Sequence, residues 1–171
     1  LKDGDPVELL EGRLFRKMTK NQRHVKAFRH LRRLLELFLS NPYHLNSQDP
    51  LSLSTSEPEP DLTIFRETPE FPIERHPKPE DIALVIEVSD STLVFDRNDK
   101  LRLYAADRLV HYWIVNLIDN QVEWYSDPTG GVPETASYRQ RVVYPLGSTL
   151  VFPLDGQELR VMVDEKLIPI E

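Results

Sequence analysis

Two acidic residues stand where a charged side chain needs a partner. Asp61 follows Pro60 and opens a short β-rich segment, and Glu87 lies near the end of the segment 82–89, behind five apolar residues. An ionised carboxylate at the end of a buried strand is costly unless something compensates its charge. We therefore interpret both acids as candidates for function. The alternative for Asp61 is a turn residue after proline.

The two acids meet if their segments pair as neighbouring antiparallel strands, because the start of one strand then lies beside the end of the next. Two carboxylates held close together repel each other unless a cation neutralises them. With waters and a backbone carbonyl they form an oxygen ligand set that suits Mg²⁺ or Mn²⁺. Such an ion polarises a phosphodiester and lowers the pKa of a bound water, so the pair predicts metal-dependent hydrolysis.

A cation near the attacking water is expected beside the acids. Strand alternation puts Ser89 on the same face as Glu87, so a lysine at position 89 would point into the site. We favour Lys100 as the substitute, because it sits on the first turns of the next predicted helix and can reach back over the carboxylates. Two alternatives stay open. Lys100 could be a solvated partner of Asp96 one turn earlier, and Ser89 could be structural rather than a hydrogen-bonding group near the metal.

The segment before these strands reads as a helix over residues 21–39, ended by Asn41-Pro42. Its apolar residues recur at spacings of three and four, which is typical of one buried face: Val25, Phe28, Leu31, Leu35 and Phe38. Four basic residues fall roughly opposite that face, where they could contact nucleic acid: Arg23, Lys26, Arg29 and Arg33. His24 lies on the apolar side, and we favour a hydrogen-bonded core histidine over one that lines the site.

The remaining elements are strands and one further helix. Segment 82–89 is the clearest strand and is expected at the centre of the sheet, since its apolar run suits burial on both faces. Asp96 is predicted to cap a helix over 97–106, with Asp99 as its capping-box partner. Further strands are expected over 45–55, 61–65, 111–116, 121–125, 138–144, 149–152 and 158–163. This order predicts an α+β fold, with a central mixed β-sheet flanked by helices and extra C-terminal strands.

Length and composition exclude several classes of protein. The 171 residues are expected to form one domain over 1–171. The chain has no cysteine, so it has no disulfide, thiolate metal site or cysteine nucleophile, and we expect it in the reducing cytoplasm. It has neither an apolar run long enough to span a membrane nor a basic-then-apolar leader, so no membrane association and no signal peptide are expected.

Charge is divided unevenly along the chain. The net charge is −7, yet residues 13–33 hold nine Lys or Arg and no Asp or Glu, so the remainder carries −16, with 12 basic against 28 acidic residues. A basic stripe on an acidic body suits a protein that holds a polyanion such as DNA at one place. An equally good interpretation is a solvated helix face that keeps the protein in solution.

Several segments, in this order and spacing, resemble the Uma2 family of endonucleases within the PD-(D/E)xK superfamily. They are LLEGRL at 9–14, EPDL at 59–62, EDIALVIEVS at 80–89, DRNDK at 96–100 with Tyr104, and YWIVN at 112–116. The resemblance runs from about Val7 to about Val163. It implies a restriction-endonuclease-like core. Because restriction-type nucleases often pair to cut both strands, it also implies a homodimer.

The resemblance also implies roles for individual residues. Asp61 and Glu87 would be metal ligands, and the carbonyl of Val88 would complete the protein's share of the metal shell. Lys100 would be the catalytic lysine, moved from the strand to the helix, because Ser89 stands at the usual lysine position. For Glu11, within the first matching segment, we favour a strand-surface residue over an additional acid of the site.

These observations favour a Mg²⁺- or Mn²⁺-dependent endonuclease that hydrolyses phosphodiester bonds in DNA. The alternative is a nuclease-like fold without cleavage that works as a nucleic-acid-binding or protein-interaction module and needs no metal. A third interpretation is a purely structural β-rich partner protein, for which the basic stripe is incidental and no binding of DNA is expected even at low salt.

Overall fold

The computed structural model describes residues 7–17, 20–67 and 76–170. Its strands are β1 (Val7–Leu10), β2 (Arg13–Arg16), β3 (Tyr43–Ser47), β4 (Leu62–Arg66), β5 (Ile82–Ser89), β6 (His111–Asn116), β7 (Gln121–Pro128), β8 (Tyr138–Pro145), β9 (Thr149–Leu154) and β10 (Gln157–Met162). Its helices are α1 (Gln22–Phe38), α2 (Leu93–Phe95) and α3 (Leu101–Ala106). A π-helical turn (Asp96–Lys100) joins α2 to α3, and a 3₁₀ turn (Pro79–Asp81) precedes β5. In this described part of the chain, no helix is long and apolar enough to cross a membrane.

Six strands form a mixed central sheet in the order β3-β4-β5-β6-β7-β8. β5 and β6 are parallel neighbours, and the other pairs in the sheet are antiparallel. A parallel pair needs a crossover, which the helical segment 93–106 supplies. β1 and β2 pair as one separate hairpin, and β9 and β10 as another. The predicted α+β fold, with its mixed sheet and extra C-terminal strands, is confirmed.

The alternation of side chains along β5 decides what lies on each face of the sheet. Leu84, Ile86 and Val88 belong to the core cluster under α1, which the C-terminal hairpin also covers. Val85 belongs to a second cluster, under the crossover segment 93–106. Glu87 and Ser89 share the parity of Val85, so they point towards the crossover segment. β5 is therefore buried on both faces, as the apolar run predicts, and it carries a carboxylate into one of the two cores.

The helix predicted over 21–39 is α1, and the side chain of its N-cap residue Asn21 accepts the His24 N–H at 2.9 Å. The expected basic face is only partly correct. Arg23 is not on the solvated side, because its guanidinium donates to the carbonyls of Leu117 at 2.8 Å and Pro169 at 2.9 Å. Main-chain carbonyls at the end of a strand need such donors. Arg23 therefore ties α1 to the sheet and to the C-terminal segment.

Two sequence-based predictions of local structure are wrong. Asp96 does not cap a helix: its own N–H already donates to the Thr92 carbonyl, because the helical segment begins one turn earlier. Its carboxylate instead accepts hydrogen bonds from the hydroxyls of Ser89 and Thr92, each at 2.6 Å. The strand expected over 45–55 is the shorter β3 (Tyr43–Ser47), which ends where Gln48 turns to a positive φ of 59°.

Candidate functional site

Asp61 and Glu87 lie side by side at one edge of the sheet. The antiparallel register of β4 and β5 pairs Leu62 with Ile86, so Asp61, one residue earlier, falls opposite Glu87. The Asp61 N–H lies 3.4 Å from Glu87 Oε2, and the Val88 N–H donates to Asp61 Oδ2 at 2.9 Å. Both side chains are buried, with residue exposures of 6% and 4%. The structure thus brings together the two acids that the sequence separates by 26 positions.

Lys100 reaches back from the crossover segment over Glu87. Its Nζ lies 2.9 Å from Glu87 Oε1, and the Tyr104 hydroxyl donates to the same oxygen at 2.9 Å. Tyr104 is one turn further along the helix, so both groups project to the same side of the segment. Lys100 is only 4% exposed, so the alternative of a solvated pair with Asp96 on the helix surface is wrong.

The N-terminal end of α1 supplies two nitrogen groups to Asp61. His24 Nε2 lies 3.1 Å from Asp61 Oδ2, and Lys20 Nζ lies 2.7 Å from Asp61 Oδ1. His24 is buried, as we expected of a core histidine, but it contacts the candidate acid directly and so lines the site as well. Lys20 was not singled out in the sequence, because nothing in its spacing distinguishes it from the other eight basic residues around it.

Ser89 and Val88 occupy the expected positions beside Glu87. Ser89 shares the face of Glu87, and its hydroxyl donates a hydrogen bond to the carboxylate of Asp96. Asp96 is itself buried, with an exposure of 2%. The structural interpretation of Ser89 is therefore supported by this contact. Val88 lies between the two on the strand, and its N–H is the group that contacts Asp61.

Glu8 is an acid of the site that sequence reasoning missed. It lies on β1, and its Oε2 is 3.2 Å from Lys100 Nζ. Glu11, for which the sequence favours a strand-surface position over a place in the site, is a surface residue but lies in the exposed turn between β1 and β2, with a positive φ of 48°, and does not line the cleft. The available signal was the one that identified Glu87: a carboxylate within an apolar strand segment, here Val7–Leu10.

The inner cluster has more negative than positive groups. Four carboxylates (Asp61, Glu87, Glu8 and Asp96) face two lysines (Lys20 and Lys100), which leaves a formal charge of −2 when all four carboxylates are ionised and His24 is neutral. Such a cluster attracts cations and protons. It has the charge balance of a site that a divalent ion would neutralise.

The pKa values of the two acids differ for identifiable reasons. Burial raises the pKa of Glu87 to about 8, because Lys100 offsets only part of the desolvation and the nearby acids add to it. Burial would also raise the pKa of Asp61, but the contacts with His24 and Lys20 hold it well below its usual range. Burial would lower the pKa of Lys100, but the surrounding carboxylates raise it above its ordinary value. Lys100 is therefore charged at neutral pH.

Comparison with known proteins identifies the family. The family model "Uma2: Putative restriction endonuclease" matches residues 1–162. The chain belongs to the Uma2 family. A solved structure described as a putative nuclease belonging to DUF820, from Anabaena variabilis, is similar to the chain, with a TM-score of 0.69 at 14% sequence identity. The alignment covers 98% of this chain and 93% of that one. No curated protein matches the chain.

The donor set of this Uma2 family member fits a hydrated Mg²⁺ or Mn²⁺. Mg²⁺ keeps several of its waters and is commonly held by one or two carboxylates, which is what Asp61 and Glu87 offer. Within the described residues, no group of three or more His, Cys, Asp or Glu side chains forms a metal cage. Lys20 already places an ammonium on Asp61 Oδ1, so this oxygen is accessible to a cation from the cleft side.

The site opens into a cleft of ≈ 280 Å³, which Phe15, Phe95 and the acids line together with basic residues. The lining basic residues outside the inner cluster are Arg16 and Lys17. The predicted DNA-binding face does not line the cleft at Lys26, Arg29 and Arg33. These three side chains project from α1 into solvent. The basic stripe of the Uma2 chain is thus divided between the mouth of the cleft and the outside of α1.

Proposed function

We propose that the protein is a divalent-metal-dependent endonuclease that hydrolyses phosphodiester bonds of DNA. The observation that carries the proposal is the position of Lys100 Nζ, 2.9 Å from a Glu87 carboxylate that lies opposite Asp61 in the sheet. Two acids and a lysine with these contacts are the residue types that metal-dependent phosphodiester hydrolysis needs. Membership of the Uma2 family supports the same activity.

In this proposal Asp61, Glu87 and the Val88 carbonyl would hold Mg²⁺ or Mn²⁺. Such an ion would supply polarisation of the phosphodiester and a lower pKa for a bound water. Lys100 orients the attacking water and offsets negative charge that grows on the phosphate in the transition state. The water oxygen forms a bond to phosphorus while one ester P–O bond breaks, which leaves a phosphate monoester on one end and a hydroxyl on the other.

Neighbouring residues of the chain hold these groups in position. The Tyr104 hydroxyl fixes one oxygen of Glu87, and the Val88 N–H fixes one oxygen of Asp61. His24 contacts the same Asp61 oxygen and restricts the rotation of the carboxylate. Glu8 keeps Lys100 protonated through its negative charge. These are positioning residues, because they act on the metal ligands and the lysine.

The test compares the wild type with Asp61→Asn, Glu87→Gln and the control Asp99→Asn, an exposed acid on the π-helical turn. Supercoiled plasmid, linear duplex and single-stranded DNA are incubated with Mg²⁺ or Mn²⁺, and cleavage is followed on gels. We expect Asp61→Asn and Glu87→Gln to lose activity by about 10²–10³-fold, comparable with removal of one transition-state-stabilising group. Asp99→Asn should retain it.

Calorimetric titration with Mn²⁺ provides a second readout, because heat of binding should appear in the wild type and be lost in Glu87→Gln. The proposal fails if wild type and variants are equally inert or equally active. Retained DNA binding without cleavage and without Mn²⁺ heat would instead support a non-cleaving nucleic-acid-binding module.

A further inference from the structure

An exposed aromatic ring stands beside the candidate site. In the β1–β2 hairpin Phe15 is paired directly opposite Glu8, and directly opposite residues of an antiparallel pair share one face. Glu8 contacts Lys100, so Phe15 faces the cleft from the position next to the lysine. Phe15 as a whole residue is 40% exposed. The hairpin therefore places an aromatic surface over the cleft.

A second ring extends this surface. Phe95, at the end of α2, lies with its ring centroid 5.6 Å from that of Phe15, at an interplanar angle of 40°. Lys100 Nζ is 6.0 Å from the centre of the Phe95 ring. The two rings and the lysine thus come from three different elements and converge on the space above Glu87. Proteins that bind single strands use such rings, on which bases stack, together with cations that contact the backbone.

The depth of the site restricts what can enter. Asp61, Glu87 and Lys100 are each at most 6% exposed and lie at the bottom of a cleft of ≈ 280 Å³. This volume lies just below the range of about 300–1,000 Å³ for pockets that enclose a drug-sized ligand. It suits about one nucleotide. A stacked, paired duplex cannot place a base here, whereas an unpaired nucleotide can follow its phosphate into the cleft.

The charges at the mouth suit the backbone of such a strand. Arg16 lies next to Phe15 on β2, and Lys17 and Lys20 also line the cleft. Lys17 pairs with Glu59, which also lines the cleft. A short run of cations beside an aromatic surface suits a single strand more than the wide backbone track of a duplex.

We propose that the cleft binds an unpaired nucleotide of single-stranded DNA, with its base stacked on Phe15 and Phe95 and its phosphate directed towards Lys100. The assignment rests on the proposed nuclease function and specifies its substrate class. It makes Phe15 a substrate-binding residue that touches the base. Duplex DNA would be a substrate only where it is unpaired.

The test measures binding rather than cleavage. A single-stranded oligonucleotide that contains 2-aminopurine is titrated in the presence of Ca²⁺, which occupies oxygen ligand sets and neutralises the acids, against wild type, Phe15→Ala and the control Leu14→Ala. Leu14 is the neighbouring residue on β2, is more exposed than Phe15 and points to the other face of the hairpin. A blunt-ended, fully paired duplex with the same number of nucleotides is the competing ligand. Affinity is read by anisotropy, and stacking by quenching of the 2-aminopurine fluorescence.

We expect the wild type to bind the single strand at least about tenfold more tightly than the duplex, and Phe15→Ala to lose about tenfold in single-strand affinity together with the quenching. Leu14→Ala should keep both. Equal affinity for the two DNA forms, or equal effects of the two variants, would overturn the proposal. If Phe15→Ala unfolds, Phe15→Leu keeps an apolar side chain without an aromatic face and should still lose the quenching.

The outcome can be separated from that of the nuclease proposal. Quenching that depends on Phe15 in a protein that never cleaves DNA would support the binding site and contradict the proposed activity. Cleavage that depends on Asp61, without any preference for unpaired DNA, would contradict the binding site alone.

Discussion

Two buried glutamates lie in one row of the central sheet and have opposite surroundings. Glu87 on β5 pairs with Ile114 on β6, and Ile114 pairs with Glu123 on β7, so the two acids flank the same isoleucine on one face. Their residue exposures are 4% and 0%. Each is bound by a cation of the π-helical turn, Lys100 for Glu87 and Arg97 for Glu123.

The surroundings of Glu123 compensate its charge completely. Arg97 Nε lies 3.2 Å from both carboxylate oxygens, and the Tyr125 hydroxyl, the Asn116 amide and the Gln121 amide donate at 2.6, 2.8 and 3.0 Å. Burial alone would raise the pKa of Glu123, but these hydrogen bonds outweigh it and lower the pKa to about 2. Glu123 is a satisfied structural anion that fixes the helical segment to the sheet.

Glu87 has fewer donors and more acidic neighbours, and its pKa is raised to about 8 by burial and by those acids. The comparison teaches that burial of a glutamate does not by itself mark a functional site. What distinguishes Glu87 is charge that the protein leaves uncompensated, at a position that a cleft makes accessible to a cation. The π-helical turn contributes one cation to each glutamate. Arg97 fixes the turn to Glu123, and Lys100 contacts Glu87 at the candidate site.

The largest expected effect concerns stability: the substitution of glutamate by glutamine should lower the free energy of unfolding at position 123 but not at position 87. Glu123→Gln should lower the free energy of unfolding by about 3 kcal/mol, because Arg97 and three neutral donors lose the buried anion that they share. Glu87→Gln, measured in EDTA at pH 7, should leave stability unchanged or raise it, because folding the wild type at this pH requires Glu87 either to take up a proton or to bury its charge. Glutamine avoids that cost, and its amide oxygen can still accept from Lys100. Urea unfolding curves of the two variants and the wild type give this comparison directly. Destabilisation of both variants by similar amounts would remove the distinction.

The distinction could be predicted only in part from the sequence. The apolar run of β5 and the alternation of strand side chains are local properties, so they indicate that Glu87 is buried and that Asp61 can lie beside it. Glu123, in contrast, occurs in the hairpin segment after Asp119-Asn120, where a polar residue between Val122 and Trp124 is typical of a solvent-facing position. Only the crossover segment, packed above the sheet, makes that position buried.

The residues that complete the site depend on contacts between distant parts of the chain. Glu8 and Lys100 are 92 positions apart, and no local pattern connects them. Asp96 resembles a helix cap in sequence, yet the helix begins earlier and a π-helical turn directs Asp96 and Lys100 together towards the sheet. The fold was therefore more predictable than the site, because periodicity specifies elements while tertiary packing specifies which polar side chains meet.

The second largest effect is expected in the pH dependence of the free energy of unfolding, which should differ between the two glutamates. The pKa of Glu123 is lowered from 4.5 to about 2, so its contribution is complete above its ordinary pKa and is lost as the pH falls towards about 2. The lowered pKa of Glu123 contributes about 3 kcal/mol to the free energy of unfolding at neutral pH. The pKa of Glu87 is raised from 4.5 to about 8, so the native state binds its proton more tightly and stability falls as the pH rises over that interval.

The measurement is the free energy of unfolding in EDTA from pH 2 to 8 for wild type, Glu123→Gln and Glu87→Gln. Subtracting each variant from the wild type isolates one glutamate from the other titrating groups. We expect Glu123→Gln to flatten the acidic limb and Glu87→Gln to flatten the limb between pH 4.5 and 8. An acidic limb that is the same in Glu123→Gln and wild type would show that the buried network does not hold a charged glutamate.

The smallest effect concerns the turn that connects the two glutamates. Arg97→Lys keeps the positive charge but loses the planar fork that contacts both oxygens of Glu123, so we expect a cost of about 1 kcal/mol in stability. Because Arg97 precedes Lys100 by three residues on one helical turn, a shift of this anchor should also misplace Lys100. We therefore expect kcat of DNA cleavage to fall several-fold while KM is unchanged, since Arg97 is not among the residues that line the cleft.

Arg102→Lys is the matched control for this change. Arg102 lies on the same helical segment, but it is paired with the exposed Asp99 and not with a buried acid. The Arg102→Lys substitution should alter neither the free energy of unfolding nor kcat. If Arg97→Lys lowers stability without any change in kcat, the Glu123 network anchors the sheet but does not position Lys100. The two buried glutamates would then be energetically independent despite the helical turn that they share.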